Sequence, residues 1–341
     1  MKYSTRIRTA GIALLAATAL LASACSSPQT PAEPGPSEDA GAPALEQTTL
    51  TFSYSASVPQ LEKVPLHMTI EGLDSVGITS AEETFHQSGE DAVAAVARGE
   101  SDFGTANAPT VFAAIKKGAP IKAIMTAYFP AYLVVAADGV DDVCGLDGKR
   151  VGIHAQVSAT TLYTNLALQQ CPTAKPEILI VPGSAARVQA MLAGQLDASA
   201  VQFSDWLTLQ EKAPGKFKVI FDVAQENLGI IDSVIFASTA TIEKKPNYVA
   251  AFVQAVQKQY AAVYSDEAGL AKAIQDTVPD MTADIAAELA KTAIADKLWP
   301  ADGGFDDKTI EATLKALSDS GLLTSETLPS ATECCTSEFL K

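Results

Sequence analysis

Four polar clusters hold the residue types that could do chemistry. They are Ser53-Tyr54-Ser55-Ala56-Ser57, Thr105-Ala106-Asn107-Ala108, His154-Ala155-Gln156-Val157-Ser158-Ala159-Thr160 and Gln202-Phe203-Ser204-Asp205-Trp206. Tyr128-Phe129 and Asp232-Ser233 add to them. Ser55, Ser57, Thr105, Asn107, Gln156, Ser158, Thr160 and Gln202 offer hydrogen bonds, and Tyr54, Tyr128, Phe203 and Trp206 offer stacking faces. Such a mixture lines a small-molecule pocket. Catalysis asks for more: a nucleophile beside a base, a carboxylate pair or metal ligands. The chain has no Gly-x-Ser-x-Gly elbow, no phosphate loop ending in Gly-Lys-Ser/Thr and no His-Glu-x-x-His. His154 and Ser158 are only neighbours in sequence. With 3 histidines and no dense Cys/His cluster, neither a metal nor a cofactor is expected. Simpler roles compete at several positions. Ser158 suits a helix N-cap, Asp102 and Asp197 suit the fixing of glycine turns, and Phe203 and Trp206 suit a core. His154 suits a satisfied loop histidine, and Arg187 a solvated or salt-bridged side chain. None of the loops carries Lys or Arg, so an anion would rely on helix N-termini and backbone N–H groups. A neutral or aromatic ligand is equally open.

These clusters need elements to hold them, and the sequence repeats itself in a way that supplies them. Gly99-Glu100-Ser101-Asp102 and Gly194-Gln195-Leu196-Asp197 each close a short helical run, 90–98 and 185–193, and each lead into a short strand. The helical runs follow Ser88-Gly89 and Gly183-Ser184, at the same spacing. The next helices end at Gly118 and Gly215, before strands at 120–127 and 216–223. Two lobes built to one plan are implied. Alternating strand and helix favours parallel sheets with helices on both faces. First strands are placed at 49–55 and 149–154, crossings between lobes at 130–137 and 228–237, and two crossings make a hinge. In parallel sheets ligands bind past the carboxyl ends of strands, which is where the four polar clusters fall. The C-terminal third reads as packing helices at 247–264, 267–276, 282–297 and 307–320. In the first, Val249, Phe252, Val253, Val256, Tyr260 and Val263 recur at helical spacing.

Length and composition agree with this plan. The 341 residues suit about two domains, and 48% hydrophobic residues suffice for a core. A formal charge of −16 and 6% aromatics exclude a phosphate-backbone binder. Lys2, Arg6 and Arg8 precede the apolar run 10–22, too short for the roughly 20 residues that span a bilayer, so 1–24 reads as an export signal. It ends in Leu21-Ala22-Ser23-Ala24-Cys25-Ser26, which resembles a bacterial lipobox. A lipid such as palmitate on Cys25 would anchor the mature chain at the extracytoplasmic face of the cell membrane. The alternative is an ordinary cleaved signal with Cys25 a bystander. Residues 25–47, rich in Pro, Ala, Ser and Glu, read as anchor and tether, reaching up to ~70 Å. The folded body then comprises lobe 1 (48–127 plus 235–341) and lobe 2 (128–234), expected to be a monomer. In an oxidising compartment, Cys144 before one strand and Cys171 at the end of the antiparallel helix that follows can meet, so a disulfide is expected. Cys334 and Cys335 are open to a vicinal disulfide or two thiols.

The runs 98–125 (RGESDFGTANAPTVFAAIKKGAPIKAIM), 146–160 (LDGKRVGIHAQVSAT) and 188–198 (VQAMLAGQLDA), with the ending 299–322, resemble the nitrate/sulfonate/taurine-binding protein family of ABC importers, which also includes binders of pyrimidine thiamine precursors. The resemblance covers about 48–325. It implies a type II periplasmic-binding fold that closes on a small solute and delivers it to a membrane permease with its cytoplasmic ATPase. Carried over by motif, the family's ligand loops fall on Ser55–Ser57, Thr105–Asn107, Gln156–Thr160 and Gln202–Ser204. Two other classes remain. A surface receptor serving a sensor or another transporter would lack a neighbouring permease and ATPase gene. An enzyme forming the thiamine pyrimidine uses a cysteine-rich motif that Cys334-Cys335 does not reproduce.

Overall fold

Short apolar runs bounded by Gly and Pro alternate with amphipathic ones, and the chain folds accordingly. The computed structural model describes residues 44–340 other than 57, 58, 227 and 280. The expected signal, Cys25, the tether up to residue 43, and Ser57 lie outside the described residues. The first half holds β1 (Thr49–Tyr54), α1 (Val64–Glu71), β2 (Ser80–Phe85), α2 (Gly89–Ala97), β3 (Phe103–Asn107), α3 (Ala108–Lys116) and β4 (Ile121–Tyr128). The second holds β5 (Tyr132–Ala137), β6 (Arg150–Ile153), α4 (Ala159–Leu168), β7 (Glu177–Ile180), α5 (Ser184–Leu192), β8 (Ala198–Gln202), α6 (Phe203–Lys212) and β9 (Phe217–Asp222). After β10 (Ser233–Ser238) come α7 (Thr239–Lys244), α8 (Pro246–Val263), α9 (Glu267–Thr277), α10 (Ala283–Ala295), α11 (Asp307–Asp319) and α12 (Ala331–Cys334). Among the described residues no helix is long and apolar enough to cross a membrane.

The strands form two five-stranded sheets, ordered β2-β1-β3-β10-β4 and β7-β6-β8-β5-β9. The orders are the same once the repeat is applied. The sheets are mixed rather than wholly parallel, because β10 and β5 run antiparallel to both neighbours. The reason lies in the crossings. β4 ends at the cleft, so the chain enters the second sheet from its cleft edge, with Tyr132 opposite Gln202 at the end of β8. The return does the same, with Ser233 opposite Asn107 at the end of β3. Tyr128, Ser233 and Val234 therefore belong to the first sheet, although the sequence reading gave them to lobe 2.

The repeat also fixes local structure. Gly99 and Gly194 end α2 and α5 with φ of 74° and 67°, a left-handed conformation that glycine adopts without steric cost. The aspartates three residues on do more than fix those turns. Asp102 accepts from the Thr51 amide at 3.1 Å and Asp197 from the Arg150 amide at 2.8 Å, so each clips its lobe's first strand in place. On α8, Val249, Phe252, Val253, Val256 and Tyr260 are fully buried at helical spacing, with the Phe252 ring 4.3 Å from that of Phe103. Each such side chain contributes roughly 1.5–3 kcal/mol by leaving water. Residues 44–47, assigned above to the tether, lie against this helix: Glu46 accepts from the Tyr248 amide at 2.9 Å. The C-terminal helices do not stay with lobe 1. Thr313 on α11 accepts from the Ile231 amide at 2.9 Å, and Asn165 on α4 donates to the Ser320 carbonyl at 3.1 Å. Cys144 and Cys171 are joined in a disulfide, as are Cys334 and Cys335.

Candidate ligand-binding site

Because the parallel strands of both sheets end toward each other, the helices that follow them start there. α2, α3, α4 and α5 bring their first turns to one cavity of about 180 Å³, through Gly89, Asn107, Ser158 and Gly183 respectively. Helix N-termini carry unpaired N–H groups and positive partial charge, so their convergence favours an anion. Lobe 1 supplies Ser55, Gln60, Lys63, Asn107, Thr110 and Tyr128, and lobe 2 supplies Tyr132, His154, Ser158, Thr160, Arg187 and Gln202. Gln60 Nε2 donates to Gln202 Oε1 at 3.3 Å, a hydrogen bond from one lobe to the other.

Two cations outside the four predicted loops stand in this wall, so an anion would not rely on helix N-termini and backbone N–H groups alone. Arg187 is 3% exposed, not solvated. Its Nη1 donates to the carbonyls of Val181 and Gly183 at 3.3 and 3.0 Å, while its Nε has no partner among the described residues. Burial pushes its guanidinium down. Lys63 is 4% exposed and donates to Gln60 Oε1 at 2.9 Å. Burial lowers its ammonium also, against the pull of Glu62. Neither cation forms an ion pair among the described residues. The charges of Asp205 near Arg187 and of Glu62 and Asp232 near Lys63 offset only part of the cost of burying these cations, and an anionic ligand would offset more. The carboxylate nearest in sequence, Glu62, is itself buried with neither oxygen hydrogen-bonded among the described residues.

Apart from Glu90, the remaining side chains of the wall are neutral. Burial, then the charge of Asp232, pushes Tyr128 and Tyr163 well above the usual phenol range, and they stay hydroxyls. His154 is pushed down by burial and by Arg187, and its Nδ1 accepts from the Gly183 amide at 3.0 Å, leaving the proton on Nε2. Ser158 caps α4 and bonds Thr160 Oγ1 at 2.9 Å, while Thr160 accepts from the His154 amide at 2.8 Å. His154 is thus tied to the loop beyond β7 and forms no pair with the Ser158 hydroxyl.

Of the residues singled out from sequence, the structure brings Ser55, Asn107, Tyr128, Ser158, Thr160 and Gln202 to the cavity. Tyr54 lies away from it, since strand alternation turns it to the other face, where it donates to Glu83 at 2.7 Å and stacks on Phe85. Thr105 is buried inside β3 and Gln156 is exposed beside the cavity. Trp206 packs on the apolar cluster of lobe 2 around Leu209, one turn too far along α6 to reach the ligand wall. Phe203 lines a second space of about 200 Å³ with Leu133, Leu289 and Leu298. Sequence reasoning missed Gln60, Lys63, Tyr132 and Arg187. Arg187 alone carried a signal, its place in the first turn of a helix that starts at the cleft.

A sequence model of the family described as NMT1/THI5 like matches residues 80–268. The ligand-binding component of an ABC-type import system from Staphylococcus aureus, with zinc bound, superposes with a TM-score of 0.72 at 16% identity over 86% of this chain and 98% of that one. The alkanesulfonate-binding protein SsuA of Xanthomonas axonopodis pv. citri, bound to MOPS, gives 0.68 at 18% identity over 85% and 99%. The periplasmic nitrate-binding protein NrtA of Synechocystis gives 0.61 at 11% identity over 73% and 71%. A search of curated protein sequences finds no match. At these identities the structural likenesses bear on the fold, which is that of the periplasmic binding proteins.

Proposed function

The chain belongs to the NMT1/THI5-like family, and from that premise we propose that it is the solute-binding lipoprotein of an ABC importer. It captures a small solute with an oxyanion group, in the sulfonate or nitrate class, between its two lobes and passes it to a permease driven by a cytoplasmic ATPase. It works as a monomer on the extracytoplasmic face of the cell membrane, held by lipid on Cys25. The observation that carries this reading is Arg187, a nearly buried cation whose Nε has no partner among the described residues, in a cavity lined by both lobes. The cavity's size supports a small solute: about 180 Å³ lies below the roughly 300–1,000 Å³ of drug-sized sites. A binding rather than a catalytic role is supported by the separate engagement of His154 and Ser158. A pyrimidine-like heterocycle is the second reading, favoured by Tyr128 and Tyr132 in the wall.

Calorimetry of the mature chain against sulfonates, nitrate, carboxylates and pyrimidines tests this. One anion class is expected to bind. Arg187→Met should weaken it by about 2 kcal/mol or more, roughly 30-fold, without lowering the melting temperature of the ligand-free protein, because it removes a desolvated cation. Unchanged affinity in the variant sinks the oxyanion reading, and tight binding of a pyrimidine alone selects the second.

A further inference from the structure

Beneath the cavity, Asp232 gathers three donors. Its Oδ1 accepts from Asn107 Nδ2 at 2.8 Å and Ser233 Oγ at 2.9 Å, and its Oδ2 from the Tyr163 hydroxyl at 2.6 Å. Asp232 and Tyr163 are both buried. Asp232 Oδ1 accepts from two donors at once, so the nitrogen of the Asn107 amide must be the atom that faces it. The Ser233 hydroxyl points its one hydrogen at Asp232, so toward Asn107 it accepts, and it takes the second Asn107 N–H at 3.0 Å. Both amide hydrogens are therefore committed. Asn107 lines the cavity, and its remaining polar atom, Oδ1, receives no hydrogen bond from any described residue. Every other charged group in the wall is a donor, Lys63 and Arg187, apart from Glu90 at the first turn of α2.

We propose that Asp232 is a positioning residue that locks the Asn107 amide with its oxygen toward the solute, so that this site selects a solute carrying an N–H or O–H donor. The inference rests on the cavity being the solute site. A solute without the donor leaves Asn107 Oδ1 dry in a closed space, which discriminates against it by roughly 10–100-fold.

Calorimetry on two matched pairs tests it: aminoethanesulfonate against ethanesulfonate, and an aminopyrimidine against the corresponding methylpyrimidine. In the wild type, the donor-bearing member of whichever pair binds is expected to be favoured roughly 10–100-fold. Asp232→Asn should bring that ratio close to one, because the new amide can donate and Asn107 can then turn over. Tyr163→Phe keeps the carboxylate and should keep the ratio, a result that general loosening of the site would not give. If Asp232→Asn does not fold, Asn107→Leu should level the ratio by removing the acceptor itself. A wild-type ratio near one overturns the inference and leaves the solute-site reading standing. Failure of both pairs to bind overturns the inference, and the solute-site reading falls with it only if nitrate and carboxylates also fail to bind.

Discussion

Glu62 and Lys63 are consecutive, 1% and 4% exposed, and do not pair with each other. Burial penalises each charge, and their mutual attraction relieves only part of that penalty. Desolvation pushes the Glu62 carboxyl up to about 7 and the Lys63 ammonium down to about 8. The sign of the Glu62 effect follows from linkage. The unfolded chain loses this proton near the ordinary carboxylate value of 4.5 and the folded chain at about 7, so in that window the folded state binds more protons and stability falls as pH rises. Glu62→Gln is therefore expected to be more stable than the wild type at pH ~8, by roughly 3 kcal/mol, with the difference shrinking below pH ~5. Melting curves of both proteins across that range check it, and a difference that does not vary with pH rules it out. Neither residue drew notice in the sequence, because Glu-Lys neighbours are normally solvated. The apolar shell that buries them comes from Trp299, whose Nε1 donates to the Glu62 carbonyl at 2.8 Å from the far end of the chain. Tyr54 and Ser55 teach the same lesson. Their loop was legible, but which of two adjacent side chains faces the ligand depends on strand phase, which only pairing with β2 and β3 fixes.

At the scale of elements, much more could be read. The repeat placed Gly99 with Gly194 and Asp102 with Asp197, and the sheets have matching strand orders. The helical stretch 247–264 became Pro246–Val263, since a long amphipathic period is a strong signal. The antiparallel direction of β5 and β10 was not legible, because alternation of strand and helix says nothing about a strand reached without a helix. Within lobe 2 the disulfide joins the 3-10 turn Val143–Leu146, which leads into β6, to the end of α4. It closes a loop of 27 residues, a constraint on the unfolded chain of about 3 kcal/mol. The double variant Cys144→Ala/Cys171→Ala should lose about that much in denaturant titration. The same titration of wild-type protein under reducing conditions should show a comparable loss. Equal midpoints for wild type and variant would show that burial of Leu162 and Tyr163 between α4 and its sheet already holds this unit.

The whole molecule is joined differently on its two sides, and this decides how it can move. Phe112 of α3, Leu162 of α4, and Ile310 and Leu317 of α11 belong to a single buried cluster that runs through both lobes. On the other side, Phe103, Phe252 and Leu289 form one cluster, and Leu133 and Leu209 form another, with the space lined by Phe203 and Leu298 between them. Separating the lobes along the shared cluster would expose well-packed apolar surface, whereas separating them at the partly empty side exposes little. The cleft should therefore open by rotation about the α3–α4–α11 side, with the two crossing strands as hinge. Spin labels on exposed positions distinguish the sides. A pair at Lys117 and Gln170, just past the ends of α3 and α4, should keep its distance when a binding anion is added. A pair at Lys212 and Glu288, on α6 and α10, should come closer. Equal displacement of both pairs would place the hinge elsewhere, and no displacement of either would mean that the solute enters without lobe closure.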